Sequence, residues 1–321
     1  MELDFEKKIT EVERKINDLT KVSSDRDVRF DTEIAELRSE LETLKKEAYS
    51  TLTPWQTVQV ARHPRRPHFL DYVSGIPEEF IELHGDRCYG DDRALRGGFA
   101  DIDGRRIMLL GMEKGFSMEE KVESNFGMPH PEGYRKALRL MKLAEKYGLP
   151  VVCLIDTPAA YPGMEAEERG QAESIARNLT EMAGLETPVI VVITGEGGSG
   201  GALGIAVGDV VMMLSYSIYS VIPPEGCAAI LWRDATKAPQ AAEALKLTSD
   251  TLLEQGIIDE IIEEPPGGAH RDREAVFQAV KKAVVKHIDR LARTPVRRLL
   301  DRRFTKYAKI GKFDGRKHAK H

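Results

Sequence analysis

The chain has 321 residues, of which 41% are hydrophobic and 31% are charged, the composition of an ordinary globular protein with a sizeable core. No apolar run is long enough to span a membrane. The acidic N-terminus lacks the apolar segment of a signal peptide, so we expect a cytoplasmic protein. The three cysteines lie far apart without C-x-x-C spacing, which argues against a disulfide framework and a zinc ribbon. We therefore expect no metal in this chain.

The net charge of −5 hides an asymmetry between the body of the chain and its end. Residues 291–321 contain 11 Lys or Arg and 2 Asp or Glu, so the excess of acid lies within residues 1–290. A basic tail can bind nucleic acid or an acidic partner. No nucleic-acid motif accompanies it, and we therefore expect a solvated, partly helical C-terminal tail over residues 291–321 with no role in nucleic-acid binding.

Two apolar stripes near the N-terminus repeat at helical spacing. Their members are Phe5, Ile9, Val12, Ile16 and Leu19, and then Ile34, Leu37, Leu41, Leu44 and Ala48. A polar stretch over residues 20–31 separates the two stripes. The pattern predicts a helical hairpin over residues 1–50, with a structural role or a subunit contact.

Short apolar strands alternate with helices through residues 51–290, which we treat as one domain. The pattern predicts strands over 151–155, 188–194 and 210–214, and helices over 134–147, 165–185 and 202–207. An Asp103-Gly104 pair between two apolar runs predicts a β-hairpin. This alternation is typical of an α/β fold with a mainly parallel sheet.

The run Gly-Glu-Gly-Gly-Ser-Gly-Gly, residues 195–201, lies between a predicted buried strand and a predicted helix. Glycines allow a ligand to approach the backbone closely, and free N–H groups at the start of a helix favour negative charge. A tight turn alone needs one or two glycines, and this run has five. We therefore predict a turn of exposed amides over Gly195–Gly201 that stabilises an anion.

The run also matches the dinucleotide fingerprint G-x-G-x-x-G through Gly195, Gly197 and Gly200. That motif needs an acidic residue after the next strand to bind a ribose. Ser215 and Tyr216 occupy this place, so the match is weak. The sequence G-K-[ST] of a phosphate-binding loop is missing, and we assign no ATP site.

A third match is the nucleophile elbow G-x-S-x-G, with Ser199 between Gly197 and Gly201. A hydrolase would also need an acid and a histidine downstream, and Asp259 and His270 stand in that order. Nothing in the sequence ties these two to Ser199. An oxyanion hole needs no nucleophile, and it fits a site whose residues are Gly, Ala and Ser.

A second loop follows the preceding strand and is also rich in small residues and proline. It covers residues 156–163 and leads into a run of acids that begins at Glu165. Loops after neighbouring parallel strands meet at the carboxyl edge of the sheet, where ligands bind. We therefore expect the loop over 156–163 and the glycine run to form one site.

Several long stretches now resemble one family. They are residues 85–98, 125–141, 156–171, 195–202, 219–232 and 265–272. Together they resemble the α subunit of bacterial acetyl-CoA carboxylase carboxyltransferase, and the resemblance extends from about residue 52 to residue 272. It implies a crotonase-like, or ClpP-like, spiral α/β fold. It also implies an α2β2 assembly with a separate β subunit, which works with a biotin carboxyl carrier protein and a biotin carboxylase.

The activity that the resemblance implies is transfer of a carboxyl group from carboxybiotin on the carrier protein to acetyl-CoA, which forms malonyl-CoA for fatty acid synthesis. Gly200 and Gly201 would donate backbone amides that stabilise the biotin enolate. Further contacts to the cofactor would come from Gly198, Ser199, Ala160 and Tyr161. ATP would be used only by the biotin carboxylase component, and the β subunit would supply the oxyanion hole for the thioester and most of the CoA site.

One departure from the family pattern and two open alternatives accompany this interpretation. The family usually has glycine where this sequence has Ala159, so we expect a negative φ there. A self-contained hydratase or isomerase remains an alternative, with Glu165 or Glu196 as its acid or base. The basic residues Arg135, Arg139 and Lys142 would either contact CoA phosphates or the β subunit, or lie on a solvated helix face.

Overall fold

An eight-stranded mixed sheet forms the centre of the computed structural model, which describes residues 3–26 and 30–311. The strands are β1 Glu79–Glu82, β2 Leu95–Ile102, β3 Arg105–Met112, β4 Val151–Thr157, β5 Val189–Gly198, β6 Val210–Leu214, β7 Ile218–Ser220 and β8 Glu260–Ile262. Their order is β1-β2-β3-β4-β5-β6-β8, and β7 pairs with the end of β5. The first three are antiparallel and all later pairs are parallel, which confirms the predicted α/β fold with a mainly parallel sheet.

Fourteen α-helices surround this sheet within the described residues. They are α1 Lys7–Arg26, α2 Asp31–Ser50, α3 Pro54–Ala61, α4 Phe69–Gly75, α5 Met118–Glu123, α6 Pro131–Tyr147, α7 Met164–Glu168, α8 Gln171–Ala183, α9 Ser199–Leu203, α10 Pro224–Trp232, α11 Ala238–Leu245, α12 Ser249–Glu254, α13 Arg273–Leu291 and α14 Val296–Ala308. None of those within residues 3–26 and 30–311 combines the length and the apolar character that crossing a bilayer requires.

The sheet is covered on both faces, which explains why its parallel strands are continuous apolar runs. One face packs on α6 and α8 through side chains such as Leu140 and Met182. The other packs on α4 and α13 through Phe69 and Val276. Every residue of β4 is buried, so the strand ends at the carboxyl edge are held between two apolar layers.

The two N-terminal helices bury the predicted apolar stripes against each other. Ile9, Val12 and Ile16 of α1 share a cluster with Leu41 of α2 and with Val60 of α3. The first helix extends to Arg26, beyond the end that the polar stretch indicated. Residues 27–29, which would join the two helices, lie outside the described residues, so the hairpin connection stays a prediction.

The predicted helix over 165–185 is in fact two helices. α7 ends at Glu168, and α8 begins at Gln171 after Gly170, whose φ is +83°. A left-handed residue interrupts the helical path, and glycine adopts it without the penalty of a Cβ. After the break, Gln171 at the start of α8 donates a hydrogen bond to the carbonyl of Tyr161, in the loop that follows β4.

Candidate active site

Two loops meet at the carboxyl edge of the sheet, one after β4 and one after β5. Thr157 at the end of β4 pairs with Gly197 at the end of β5, after a shift of register beyond Ile155. Because the strands are parallel, their following loops lie side by side. The structure thus brings together the glycine run and the loop over 156–163, as the sequence indicated.

The glycine run is not one turn. Gly195, Gly197 and Gly198 belong to β5, and Ser199 begins α9 directly after them. The reversal occurs at Ser199, which has a φ of +50°. The predicted turn of exposed amides over Gly195–Gly201 is therefore too long, because its first four residues pair in the sheet and only the α9 end is free to form a turn.

Three glycines of the run allow the two loops to touch. A methyl group on Gly195 would lie 2.3 Å from the Asp156 carboxylate, and one on Gly198 would lie 2.0 Å from the Pro158 carbonyl oxygen. A methyl group on Gly201 would lie 2.4 Å from the carbonyl carbon of Ala159. Real Cβ atoms do not approach this closely. The glycines at these positions are explained by packing between loops, without a ligand.

Gly200 differs from these three glycines. A methyl group there would meet only Ile175, at an ordinary contact distance of 3.8 Å. Gly200 and Ser199 line a pocket of about 480 Å³. The N–H groups of Gly200 and Gly201 belong to the first turn of α9, where the carbonyl four residues earlier lies in a strand and not in the helix. Gly201 itself is buried, and its carbonyl accepts a hydrogen bond from the Tyr134 hydroxyl.

The other predicted contact residues lie on the facing loop. Ala160 is half-buried, and its nitrogen would be 2.5 Å from a methyl group on Gly201. The Tyr161 ring stacks on His130 at 4.2 Å between centroids. Ala159 does not belong to the described residues with positive φ, which confirms the negative φ expected there.

A buried ionic network lies directly below the two loops, and the sequence did not predict it. Lys114, two residues after β3, places its Nζ 2.7 Å from Asp156 Oδ1 and 2.9 Å from Glu196 Oε1. The N–H of Glu196 donates to the same Asp156 oxygen at 2.8 Å. One ammonium group thus joins the ends of three neighbouring strands. One signal in the sequence could have indicated this network: a lysine that closely follows a strand, at the carboxyl edge of the sheet.

Two arginines extend the network to the rest of the edge. Arg62 donates to Glu196 Oε2 and to Glu225 Oε1, each at 2.6 Å. Arg66 makes a two-fold contact with the buried Glu264 and donates to the carbonyl of Thr194 at 2.6 Å. Both belong to residues 62–67, an Arg- and Pro-rich segment that directly follows α3. This segment therefore fixes the base of the glycine run.

The carboxylates that a hydratase would use are ionised and paired. Burial opposes the negative charge of Glu196. The attraction of Lys114 and Arg62 outweighs this effect and holds the pKa of Glu196 below its ordinary value. Glu165 is fully exposed, and hydrogen bonds from its own backbone N–H and from Tyr161 lower its pKa. A general acid at neutral pH needs a raised pKa, so the structure gives no support to a self-contained hydratase.

The hydrolase alternative is not supported either, because its proposed partners are engaged elsewhere. Asp259 accepts a hydrogen bond from the N–H of Val211 and pairs with Lys306. His270 stacks on His63 at 3.9 Å between centroids.

We expect Ser199→Gly to keep the activity of the assembled protein within about threefold of wild type, since glycine suits the φ of +50° at this position. Loss of activity with correct assembly would show that the Ser199 hydroxyl takes part in the reaction.

The three basic residues on α6 hold neighbouring segments in place. Arg135 pairs with Asp86 at 2.7 Å, Arg139 donates to the carbonyl of Gly85 at 3.0 Å, and Lys142 pairs with Glu181 at 2.9 Å. Each is therefore committed to a contact within the chain. Their contact with CoA phosphates or with a β subunit stays a prediction.

One group of side chains has the composition of a metal site. The ligand atoms of Glu6, His63 and His270 all lie within 4.8 Å of one another. Glu6 Oε1, however, already accepts hydrogen bonds from the Tyr49 hydroxyl and from Arg271. The guanidinium disfavours a second cation beside it. We assign this cluster to fastening the N-terminal segment onto the domain.

Solved structures with the same fold are carboxyltransferases and related enzymes. A transcarboxylase 12S structure with methylmalonyl-coenzyme A and methylmalonic acid bound superposes with a TM-score of 0.54 at 18% identity, over 68% of this chain and 42% of that chain. A Pseudomonas malonate decarboxylase hetero-tetramer in complex with coenzyme A superposes with a TM-score of 0.58 at 14% identity, over 74% and 94% of the two chains. The fold is thus the crotonase-like fold of carboxyltransferases, as the resemblance implied.

Sequence comparison identifies one family within this class of enzymes. A family model described as acetyl co-enzyme A carboxylase carboxyltransferase-like matches residues 2–311. The acetyl-coenzyme A carboxylase carboxyl transferase subunit alpha of Geobacter metallireducens is 54% identical over 312 residues, which cover 97% of this chain and 98% of that protein. The chain belongs to the family of acetyl-CoA carboxylase carboxyltransferase α subunits, and it is a transferase.

Proposed function

We propose that the chain transfers a carboxyl group from carboxybiotin to acetyl-CoA, and that backbone amides at the start of α9 stabilise the oxyanion of this reaction. We propose that Gly200 and Gly201 donate these amides and that Gly198, Ser199, Ala160 and Tyr161 contact the cofactor. Of these four, Ser199 lines the pocket beside Gly200. Carboxybiotin supplies an activated carboxyl group when it is bound. The chain's own part is to orient the ureido ring and to stabilise the negative charge that develops on its oxygen.

The single observation that supports this proposal most strongly is the position of Gly200. Within the glycine run, Gly195, Gly198 and Gly201 pack against the neighbouring loop, whereas Gly200 borders an open pocket of about 480 Å³. The other residues of that pocket are uncharged, which fits a neutral urea ring. Preorganised amides in such a place stabilise charge that appears only in the transition state.

The proposal also covers the division of labour with other proteins. We propose a β subunit in an α2β2 assembly, a biotin carboxyl carrier protein that delivers carboxybiotin, and a biotin carboxylase that alone uses ATP. Within the described residues, the site presents one set of oxyanion donors and no free acid or base. A second chain is therefore needed for the thioester oxygen.

An exposed apolar surface next to the pocket supports a partner subunit. Val221 borders the pocket and is 75% exposed, and Ile230 and Leu231 on α10 are 72% and 62% exposed. Large apolar side chains grouped on a surface mark interaction sites more often than free surface. We assign this surface to the β subunit, because Val221 borders the pocket that contains Gly200.

Replacing Leu231 by aspartate is expected to weaken assembly with the β subunit at least tenfold, because a charge would be buried in an apolar contact. Sedimentation of the co-expressed subunits measures this. Leu253→Asp is a matched control, since Leu253 is also partly exposed, at 39%, but lies on α12. Equal assembly of both variants would contradict the assignment of this surface.

The function itself is tested by co-expression with the cognate β subunit. We expect the complex to form malonyl-CoA from carboxybiotin and acetyl-CoA, and the chain alone to be nearly inactive. Full activity of the chain without a second protein would overturn the proposal of a half-site.

A further inference from the structure

A groove of about 300 Å³ lies between α6 and α8, and no step of the proposed reaction uses it. We call it the α6–α8 groove. It has no lining residue in common with the pocket that contains Gly200. Its volume is at the lower end of the range for ligand cavities, so it suits a small molecule. Four cationic side chains line it: Arg135, Arg139, Lys142 and Arg177.

Two of these four cations are neutralised by carboxylates of the same groove. Arg135 is paired with Asp86 at 2.7 Å, and Lys142 is paired with Glu181 at 2.9 Å. The one remaining carboxylate of the lining is Glu173, which is exposed. Two arginines are thus left against one carboxylate, and the groove has an excess of positive charge.

The two remaining arginines, Arg139 and Arg177, form no ion pair with the residues that the structure describes. Arg139 donates to the carbonyl of Gly85 at 3.0 Å. Burial lowers the pKa of Arg139, and the positive charge of Arg87 lowers it further. Arg177 is exposed on α8 and lines the groove without a hydrogen bond to any described residue. A bound anion would relieve the repulsion around Arg139 and would give Arg177 a partner.

A buried amide oxygen adds a second requirement for the ligand. Asn178, which also lines the groove, is 1% exposed in its helix-facing position beside Tyr134. Its Nδ2 donates to the carbonyls of Tyr134 and Gly204 at 3.0 and 2.9 Å, and these two hydrogen bonds fix the orientation of the amide. Its Oδ1 is buried and accepts no hydrogen bond from the described part of the chain. A ligand with an O–H group would satisfy this acceptor.

We propose that the α6–α8 groove binds the phosphate group of a small molecule, with Arg139 and Arg177 contacting the phosphate oxygens and Asn178 Oδ1 accepting a hydrogen bond from an O–H group of the ligand. A guanidinium group matches the geometry of phosphate oxygens. Inorganic phosphate keeps at least one O–H at neutral pH, and a phosphate monoester can supply one from its alcohol part. Carboxylate and sulfate ions offer oxygens to the arginines but have no such donor.

Calorimetry with the full chain tests the proposal, with inorganic phosphate as the probe at pH 7 in a chloride buffer. Arg177→Gln is the main variant, because this side chain holds no other described residue in place. We expect it to raise the Kd for phosphate about tenfold, the usual scale of a hydrogen bond to a charged group. Arg298→Gln is the matched control, an exposed arginine on α14, and it should keep the wild-type Kd.

Glu173→Gln tests the sign of the charge in the groove. Removing this exposed carboxylate should lower the Kd for phosphate about threefold, the scale of an attraction or repulsion between exposed charges. The two variants thus change the Kd in opposite directions. A wild-type Kd in Arg177→Gln, or a higher Kd in Glu173→Gln, would overturn the proposal.

Two further ligands test the role of Asn178 and identify the source of the phosphate. Sulfate leaves Asn178 Oδ1 without a donor, so we expect it to bind at least tenfold more weakly than phosphate. Glycerol 3-phosphate is a monoester with hydroxyl groups: tighter binding than that of inorganic phosphate identifies a phosphorylated metabolite as the ligand, and weaker binding identifies free phosphate. Equal binding of phosphate and sulfate, or no binding of phosphate at millimolar concentration, would contradict the proposal.

Discussion

Replacing Lys114 by methionine is expected to abolish most carboxyl transfer and to lower the free energy of unfolding by about 3–5 kcal/mol, the usual cost of breaking a buried ion pair. Asp156 and Glu196 have side chains that are 3% and 9% exposed. Without the ammonium group, two buried carboxylates face each other across the base of the site. The strand ends should then separate, and the loops above them would lose their alignment.

The loss of stability in Lys114→Met should depend on pH in a defined direction. An unpaired buried carboxyl has a higher pKa in the folded state than in the unfolded state, so its penalty is present above that pKa and disappears as the pH falls through it. We therefore expect Lys114→Met to be closer to wild type in stability at pH 5 than at pH 8. Urea unfolding at the two pH values measures this.

Lys121→Met is the control for the loss of a lysine near the same place. Lys121 lines the small cavity that also contains Lys114, but the described residues supply no ion pair to it. It should unfold with the wild-type midpoint. If Lys114→Met and Lys121→Met unfold together at pH 8, the network does not hold the strand ends.

The second large effect is expected at Gly201. A methyl group there would lie 2.4 Å from the carbonyl carbon of Ala159 and 2.5 Å from the nitrogen of Ala160. Gly201→Ala should therefore push the two loops apart, at a cost of about 1–3 kcal/mol in stability. A misplacement of about 1 Å costs on the order of 100-fold in rate. Calorimetric unfolding and kcat of the assembled enzyme measure the two effects.

Gly200→Ala is the matched control for stability, one residue earlier in the same turn of helix. Its methyl group would find Ile175 at 3.8 Å, and alanine is a better helix former than glycine. This variant should be as stable as wild type or more so. Equal destabilisation by both alanines would mean that Gly201 is not a point of close approach.

Much of the fold followed from local patterns. The apolar runs of β4, β5 and β6 are buried on both faces of the sheet, so their sequence contains little polar interruption, and the strands were found at nearly their true positions. The ends of the strands were less well predicted. β5 continues to Gly198, because a run of glycines can still pair in a sheet although such a run is typical of a turn. The break at Gly170 was missed because a single glycine is tolerated in many helices.

The parts of the site that were missed depend on contacts between distant residues. Lys114 and Glu196 are 82 positions apart, and no periodicity joins them. Arg303 and Asp209 are 94 positions apart, so the basic character of the C-terminus indicated a partly helical tail that is solvated. Only the fold shows that Arg303 is buried, so that α14 is a packed element and not a solvated tail, and that Tyr307 of this helix lines the pocket that contains Gly200. The glycine run was recognised, but which glycines pack and which faces the pocket depends on the neighbouring loop.

The central claim, that the Gly200 amide stabilises an oxyanion, is tested most directly by removing that one N–H. Replacing Gly200 by glycolic acid converts its amide into an ester and adds no side chain, and the same replacement at Gly104 in the distant β-hairpin is the control. In the assembled enzyme we expect kcat to fall by about 10²–10³, the usual effect of losing one oxyanion-hole donor, with KM values near those of wild type. A wild-type kcat in an intact complex that carries the ester at Gly200 would contradict the account.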